Sequence, residues 1–81
     1  MEIAELTAWL EQNPLRKFRK KNKLGLMEIA GLLGVGVSTV QTWEKGVTVP
    51  KSEKFKMLAN LLNAPDIEET WFKWLENKPK I

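Results

Sequence analysis

Apolar side chains return along this chain every three or four residues, in short blocks cut apart by Asn, Gly and Pro. That period predicts helices and almost no strand. Residues 2–12 put Ile3, Leu6 and Leu10 on one stripe with Trp9 at its flank. Asn13-Pro14 ends that helix and opens the next, with Asn as N-cap and Pro at the first helical position. The second helix, 14–22, buries Leu15 and Phe18 and turns its basic residues outward. A third covers 26–33, and a fourth 37–45 closed by Gly46 after its last turn. Beyond the loop "VTVP", Ser52 is the expected N-cap of a helix over 53–62, whose Phe55, Leu58, Ala59 and Leu62 share a face, with Asn63 closing it. In the last segment, 66–77, Asp66 and Glu69 have capping-box spacing, and Ile67, Trp71, Trp74 and Leu75 share a face. The expected fold is all-α, a compact bundle of five to six short helices. Only Val47 to Val49 alternates, over too few residues for a strand.

A chain of 81 residues is expected to form one domain, 1–81, with a single modest core. No apolar run approaches the ~20 residues that cross a bilayer, which argues against a membrane partner. The opening "MEIAELTAWL" carries glutamates where a signal peptide needs lysines. Without cysteine there is neither a disulfide framework nor a thiolate metal site, and a cytoplasmic location is expected. The chain also lacks His and Tyr, so the usual general base and metal ligands are missing. Ser38 and Ser52 have no base partner in the sequence. Asp66, Glu68 and Glu69 are explained as helix-start acids. No catalysis, cofactor or small-molecule ligand is expected.

Charge changes the picture by its placement. Up to Asn13 the chain carries only acids, Glu2, Glu5 and Glu11. "RKFRKKNK" then packs in Arg16, Lys17, Arg19, Lys20, Lys21 and Lys23, and lysines at 45, 51, 54 and 56 form a weaker second group. Concentrated positive charge suits a polyanion, since neutralising phosphates releases counterions. A solvated lysine-rich face that keeps the protein soluble explains the same pattern.

The stretch "GLLGVGVSTVQTWEKG" decides more. Ile29 and Leu33 lie one turn apart and face inward, and small Ala30 lets a neighbouring helix pass close. Gly34 leaves the helix with positive φ at little cost, and Gly36 begins the next helix as its N-cap. Val35, Val40 and Trp43 complete an apolar seam. Two helices joined by a three- to four-residue turn make a helix-turn-helix.

On these residues "LMEIAGLLGVGVSTVQTWEKG" resembles the DNA-binding unit of the lambda-repressor-like, or Xre/Cro-CI, regulators. The resemblance covers about 14–70, leaving the helices over 2–12 and 66–77 as terminal additions. It implies a DNA-binding transcriptional regulator, typically a repressor of phage, plasmid or bacterial-host type. Its second helix would lie in the major groove of double-stranded DNA. Carried over by position, Val37, Ser38, Gln41 and Thr42 would read bases: Gln41 an adenine edge, Ser38 and Thr42 several bases, Val37 a thymine methyl. Thr39, Lys45 and Lys51 would contact phosphates, which position without reading sequence. Ile29, Ala30, Leu33, Gly34, Val35, Val40 and Trp43 are framework. Arg19 and Glu44 occupy the family's structural ion pair, worth under ~1 kcal/mol if partly exposed.

Two positions depart from the family. Leu26 stands where a phosphate-clamping Gln is common, and Gly25 where a Ser or Thr cap is. With Met27 and Val37 they put apolar groups on the presumed DNA face, which keeps open an alternative: a protein-interaction module on the same fold, an antirepressor or accessory subunit. RNA or single strands are disfavoured, because no aromatic stands on the basic surface to stack bases. The terminal helices hold Trp9, Trp71, Phe72 and Trp74. These either pack on each other within the chain or build a homodimer interface on the C-terminal helix through Trp71 and Trp74.

Overall fold

Asn13 and Pro14 show how local chemistry cuts this chain into elements. Asn13 Oδ1 accepts the Arg16 N–H at 2.9 Å, and Pro14 opens the helix where no donor is needed. The computed structural model describes residues 3–80, and all regular structure among them is α-helical. Six helices follow in order: α1 (Ile3–Glu11), α2 (Pro14–Lys21), α3 (Leu26–Leu33), α4 (Val37–Glu44), α5 (Ser52–Leu62) and α6 (Ile67–Glu76). The expected start of the first helix at Glu2 lies outside the described residues.

One closing device ends four of these helices. Lys23, Gly34, Gly46 and Asn63 all take left-handed φ, between 52° and 74°. In each case the next residue's N–H reaches back five positions: Leu24 to Arg19, Val35 to Ala30, Val47 to Thr42 and Ala64 to Ala59, at 2.8–3.0 Å. These bonds satisfy carbonyls that the helix end would otherwise orphan.

The core draws on every helix. Leu15, Ile29, Leu33, Val40, Leu58 and Trp71 are fully covered, with Ala30, Trp43, Phe55, Ile67 and Trp74 around them. Helix α3 packs on α4 and α5, α5 on α6, and α2 on both α5 and α6. Phe55 meets the Trp71 ring edge-on at 5.7 Å, an arrangement the aromatic quadrupoles favour. No helix among the described residues is long and apolar enough to cross a membrane.

Four local expectations are corrected. On α1 the buried residue is Trp9, whereas Ile3 is 84% exposed and only Leu6 and Leu10 pack partly against the core. The stripe is rotated because the large indole takes the inward place. Lys51, and not Ser52, is the N-cap of α5, and its side chain makes no capping bond. Asp66 precedes α6 without a side-chain cap to the backbone; its carboxylate instead meets the Thr70 hydroxyl at 3.5 Å. One half of a capping box appears at α3, where Glu28 Oε1 accepts the Gly25 N–H at 2.9 Å; glycine has no side chain to return the bond. Finally, α2 does not turn all its cations outward: Arg16 and Arg19 point toward α4.

Candidate nucleic-acid interface

Helix α4 is half inside and half outside. Val40, Trp43 and Glu44 are buried, while Ser38, Gln41 and Lys45 are exposed. The outward residues follow helical spacing, so they form one ridge along the helix. The short turn that precedes α4 makes this possible. Gly34 reverses the chain with φ +68°, and Gly36 enters α4 in extended conformation at φ −77° and ψ 155°.

The remaining expected contacts stand at the sides of the ridge. Val37 is half-buried and leans on the core cluster. Thr39 and Thr42 share with Lys51 and Lys54 a cleft on the side of the loop over 46–51. The Thr42 hydroxyl donates to the Thr39 carbonyl at 2.8 Å and lies 2.7 Å from the Thr48 hydroxyl. Its donor is therefore engaged within the chain, which leaves mainly acceptor capacity for a base. Lys54 Nζ donates to the Leu33 carbonyl at 2.9 Å, a cation at the negative end of α3.

On the other side of α4 an ion network locks it to α2. Arg19 clasps Glu44 with two bonds, Nε to Oε2 at 2.9 Å and Nη2 to Oε1 at 3.0 Å. A third guanidinium donor reaches the Leu24 carbonyl at 3.2 Å. Donating to the Glu44 carboxylate holds the Arg19 guanidinium above its ordinary pKa. Arg16 Nη1 approaches the same carboxylate at 3.6 Å, and Nη2 meets Glu11 of α1 at 3.0 Å. Glu44 is only 4% exposed, so the pair belongs with buried ion pairs rather than surface ones. Removing Arg19 leaves the buried Glu44 carboxylate with only the longer Arg16 contact, so the cost exceeds the ~1 kcal/mol of an exposed pair. Asn13 adds a longer link, its Nδ2 lying 3.5 Å from the Trp43 carbonyl.

Leu26 does not lie on open surface. It packs partly against the core and borders a cleft of about 240 Å³ together with Gln41, Lys45 and the α1 residues Thr7 and Leu10. Met27 is 78% exposed. Helix α1 thus runs beside the ridge of α4, and Glu11 is the acid it brings there. Trp71 and Trp74, considered for contact with a second copy, are covered by their own chain. Phe72 is the α6 aromatic left outside, at 45% exposure.

Sequence reasoning did not foresee Arg16 and Glu11 in the ion network or the Thr42–Thr48 pair. Of the two arrangements left open for the terminal aromatics, the structure shows packing within the chain, Trp9 of α1 on Trp74 of α6. The spacing of Glu11 and Arg16 across Asn13-Pro14 carries a partial signal, since a two-residue break leaves consecutive helix ends close together. No pattern in the sequence marks Thr48.

No curated protein and no solved structure gives a significant match to the chain. A family model described as a helix-turn-helix domain matches residues 13–78, taking in α2 through α6 and leaving α1 outside. On that match, which spans most of the chain and includes α3, the turn and α4, the chain belongs to the helix-turn-helix domain family.

Proposed function

We propose that the protein is a sequence-specific, double-stranded DNA-binding transcriptional regulator. It acts in the cytoplasm as a repressor, covering an operator with α4 laid in the major groove. The observation that carries this reading is the ridge of Ser38, Gln41 and Lys45 on a helix whose opposite face is anchored by Trp43 and the Arg19–Glu44 pair. Gln41 reads an adenine edge and Ser38 a neighbouring base, while Val37 and Thr42 contribute from the flanks. Lys45, Lys51 and Thr39 hold phosphates on either side. Two copies on a palindromic pair of half-sites enlarge the footprint of one recognition helix. With Trp71 and Trp74 covered, a second copy that uses α6 meets its Phe72 side.

The exposure of Met27 on α3 favours a second reading, a protein-interaction module on the same fold. Selection from a random duplex pool, followed by a salt titration on the winning site, separates the two. The DNA reading expects a defined site, steep loss of affinity with salt, and a cost of about 1–3 kcal/mol for Gln41→Ala on the best site alone. Lys51→Ala should weaken every sequence alike. A pool that yields no enriched site, with no binding at low salt, favours the protein partner.

A further inference from the structure

We propose that Lys78, just beyond α6, joins Lys45 to form an additional phosphate-contact point, so that the chain's terminal helices extend the DNA footprint. The proposal rests on the reading that α4 enters duplex DNA.

The geometry begins with two tryptophans 65 positions apart. Trp9 of α1 and Trp74 of α6 stack with centroids 4.1 Å apart and planes 2° from parallel. Each indole N–H donates to the other residue's backbone carbonyl, Trp9 Nε1 to Trp74 at 2.6 Å and Trp74 Nε1 to Trp9 at 2.7 Å. Both donors are buried and satisfied, so neither ring can rotate without leaving a polar group unpaired. This clasp closes directly over Gly46, the residue after Lys45. A Cβ at Gly46 would stand 2.7 Å from Trp9 Cη2 and 3.3 Å from the Trp74 ring.

Lys78 is drawn into the same place. Its Nζ lies 5.6 Å from the centroid of the Trp9 ring, and its backbone N–H donates to the Leu75 carbonyl at 3.2 Å. A shallow cleft of about 270 Å³ is lined by Leu6, Trp9, Leu10, Lys45 and Lys78. Among the described residues neither lysine is ion-paired. Both lysines border one apolar-floored depression, so an anion placed there would meet two cations at once. The depression adjoins the C-terminal end of α4, where the backbone of a duplex gripped by that helix would run. DNA phosphate is the anion this placement fits. Trp9 and Trp74 act as positioning residues: they seat Lys78 and contact no phosphate themselves.

The test uses the full chain and a duplex carrying its selected site, with the association constant followed against salt concentration. Each phosphate contact adds about 0.9 to the log–log slope. Lys78→Gln should flatten the slope by about that amount and weaken specific and random duplexes by the same factor. Lys56→Gln is the control, because Lys56 borders a separate cleft between α5 and the start of α6. Trp9→Leu, with folding checked by circular dichroism, should flatten the slope as Lys78→Gln does, and the double variant should flatten it no further. An unchanged slope for Lys78→Gln, while Lys45→Gln flattens it, overturns the proposal and leaves the DNA reading standing. A wild-type chain that binds no duplex at low salt overturns both. Should Trp9→Leu unfold, Lys78→Gln decides alone, since that side chain is exposed.

Discussion

Two glycines bracket α4, and they share a backbone but not a neighbourhood. Gly34, before the helix, has φ +68°, and a Cβ there would meet nothing within 4 Å. Gly46, after it, has φ +74°, and a Cβ there would strike the ring of Trp9. The first glycine serves a turn that three or four neighbouring residues define. The second serves that same kind of turn and also admits two indoles from opposite ends of the chain. The helix-turn-helix is therefore a local construction at one end of α4 and a long-range one at the other. Mutations on the two sides should differ accordingly.

The largest effect is expected at the clasp. Trp74→Ala removes a buried ring, its stacking on Trp9 and the bond its indole donates to the Trp9 carbonyl, while the backbone carbonyl that accepts from Trp9 Nε1 remains. Truncation of a buried tryptophan costs about 3–5 kcal/mol. Urea unfolding monitored by circular dichroism should show that loss. A cost below about 1 kcal/mol would mean that α1 and α6 are joined by something other than these rings.

The glycines themselves sharpen the contrast. Gly34→Ala introduces only the strain of a Cβ in left-handed backbone, about 1 kcal/mol, which corresponds to about 4–8 °C in Tm for a domain of this size. Gly46→Ala carries the same strain and overpacks a rigid ring, for about 2–4 kcal/mol in all. Thermal melts of the pair test the ordering. Equal shifts would show that the indoles move aside freely and that the clasp over Gly46 is not fixed.

This contrast also explains what was readable in the sequence. Ile29, Leu33 and Val40 are spaced by the helical period, and Gly34 and Asn63 end helices through chemistry that acts within five residues. Such signals are local, so the helices and the turn follow from the pattern. The seat of Trp9 is not local. Leu6 and Leu10 indicate a face for α1, but the choice of Trp9 as the inward residue depends on Trp74, and no spacing rule connects them. Glu44 shows the intermediate case. Resemblance pairs it with Arg19, while its second partner Arg16 and the buried character of the group depend on how α2 crosses α4. The caps expected at Ser52, which is displaced by Lys51, and at Asp66, which holds the N-cap position without a side-chain bond, fail for a different reason. Both residue types suit a cap, but Lys51 already takes the extended backbone a cap needs, with ψ 161°, and Asp66 does not, with ψ 20°.

The smallest expected effect concerns the acid that α1 carries to the α4 surface. The hydrogen bond from Arg16 holds the Glu11 carboxyl below its ordinary pKa, against an opposing desolvation and helped by the charges of Arg16 and Lys20. A carboxyl lowered in the folded state stabilises fully above its unfolded value, and the contribution disappears as pH falls through the folded one. Glu11→Gln should therefore remove a small stabilisation at pH 7, small because the pair is part-exposed, and make acid unfolding shallower by that same amount, with wild type and variant converging at low pH. DNA binding should move the other way. The substitution removes a negative charge from the cleft that Gln41 borders and releases Arg16 and Lys20 from it, so affinity for every duplex should rise and the salt slope steepen. If Glu11→Gln flattens the acid response but leaves DNA affinity unchanged, α1 stands clear of the duplex. Contact at the clasp side of α4 would then be confined to Lys45 and the residues beyond α6.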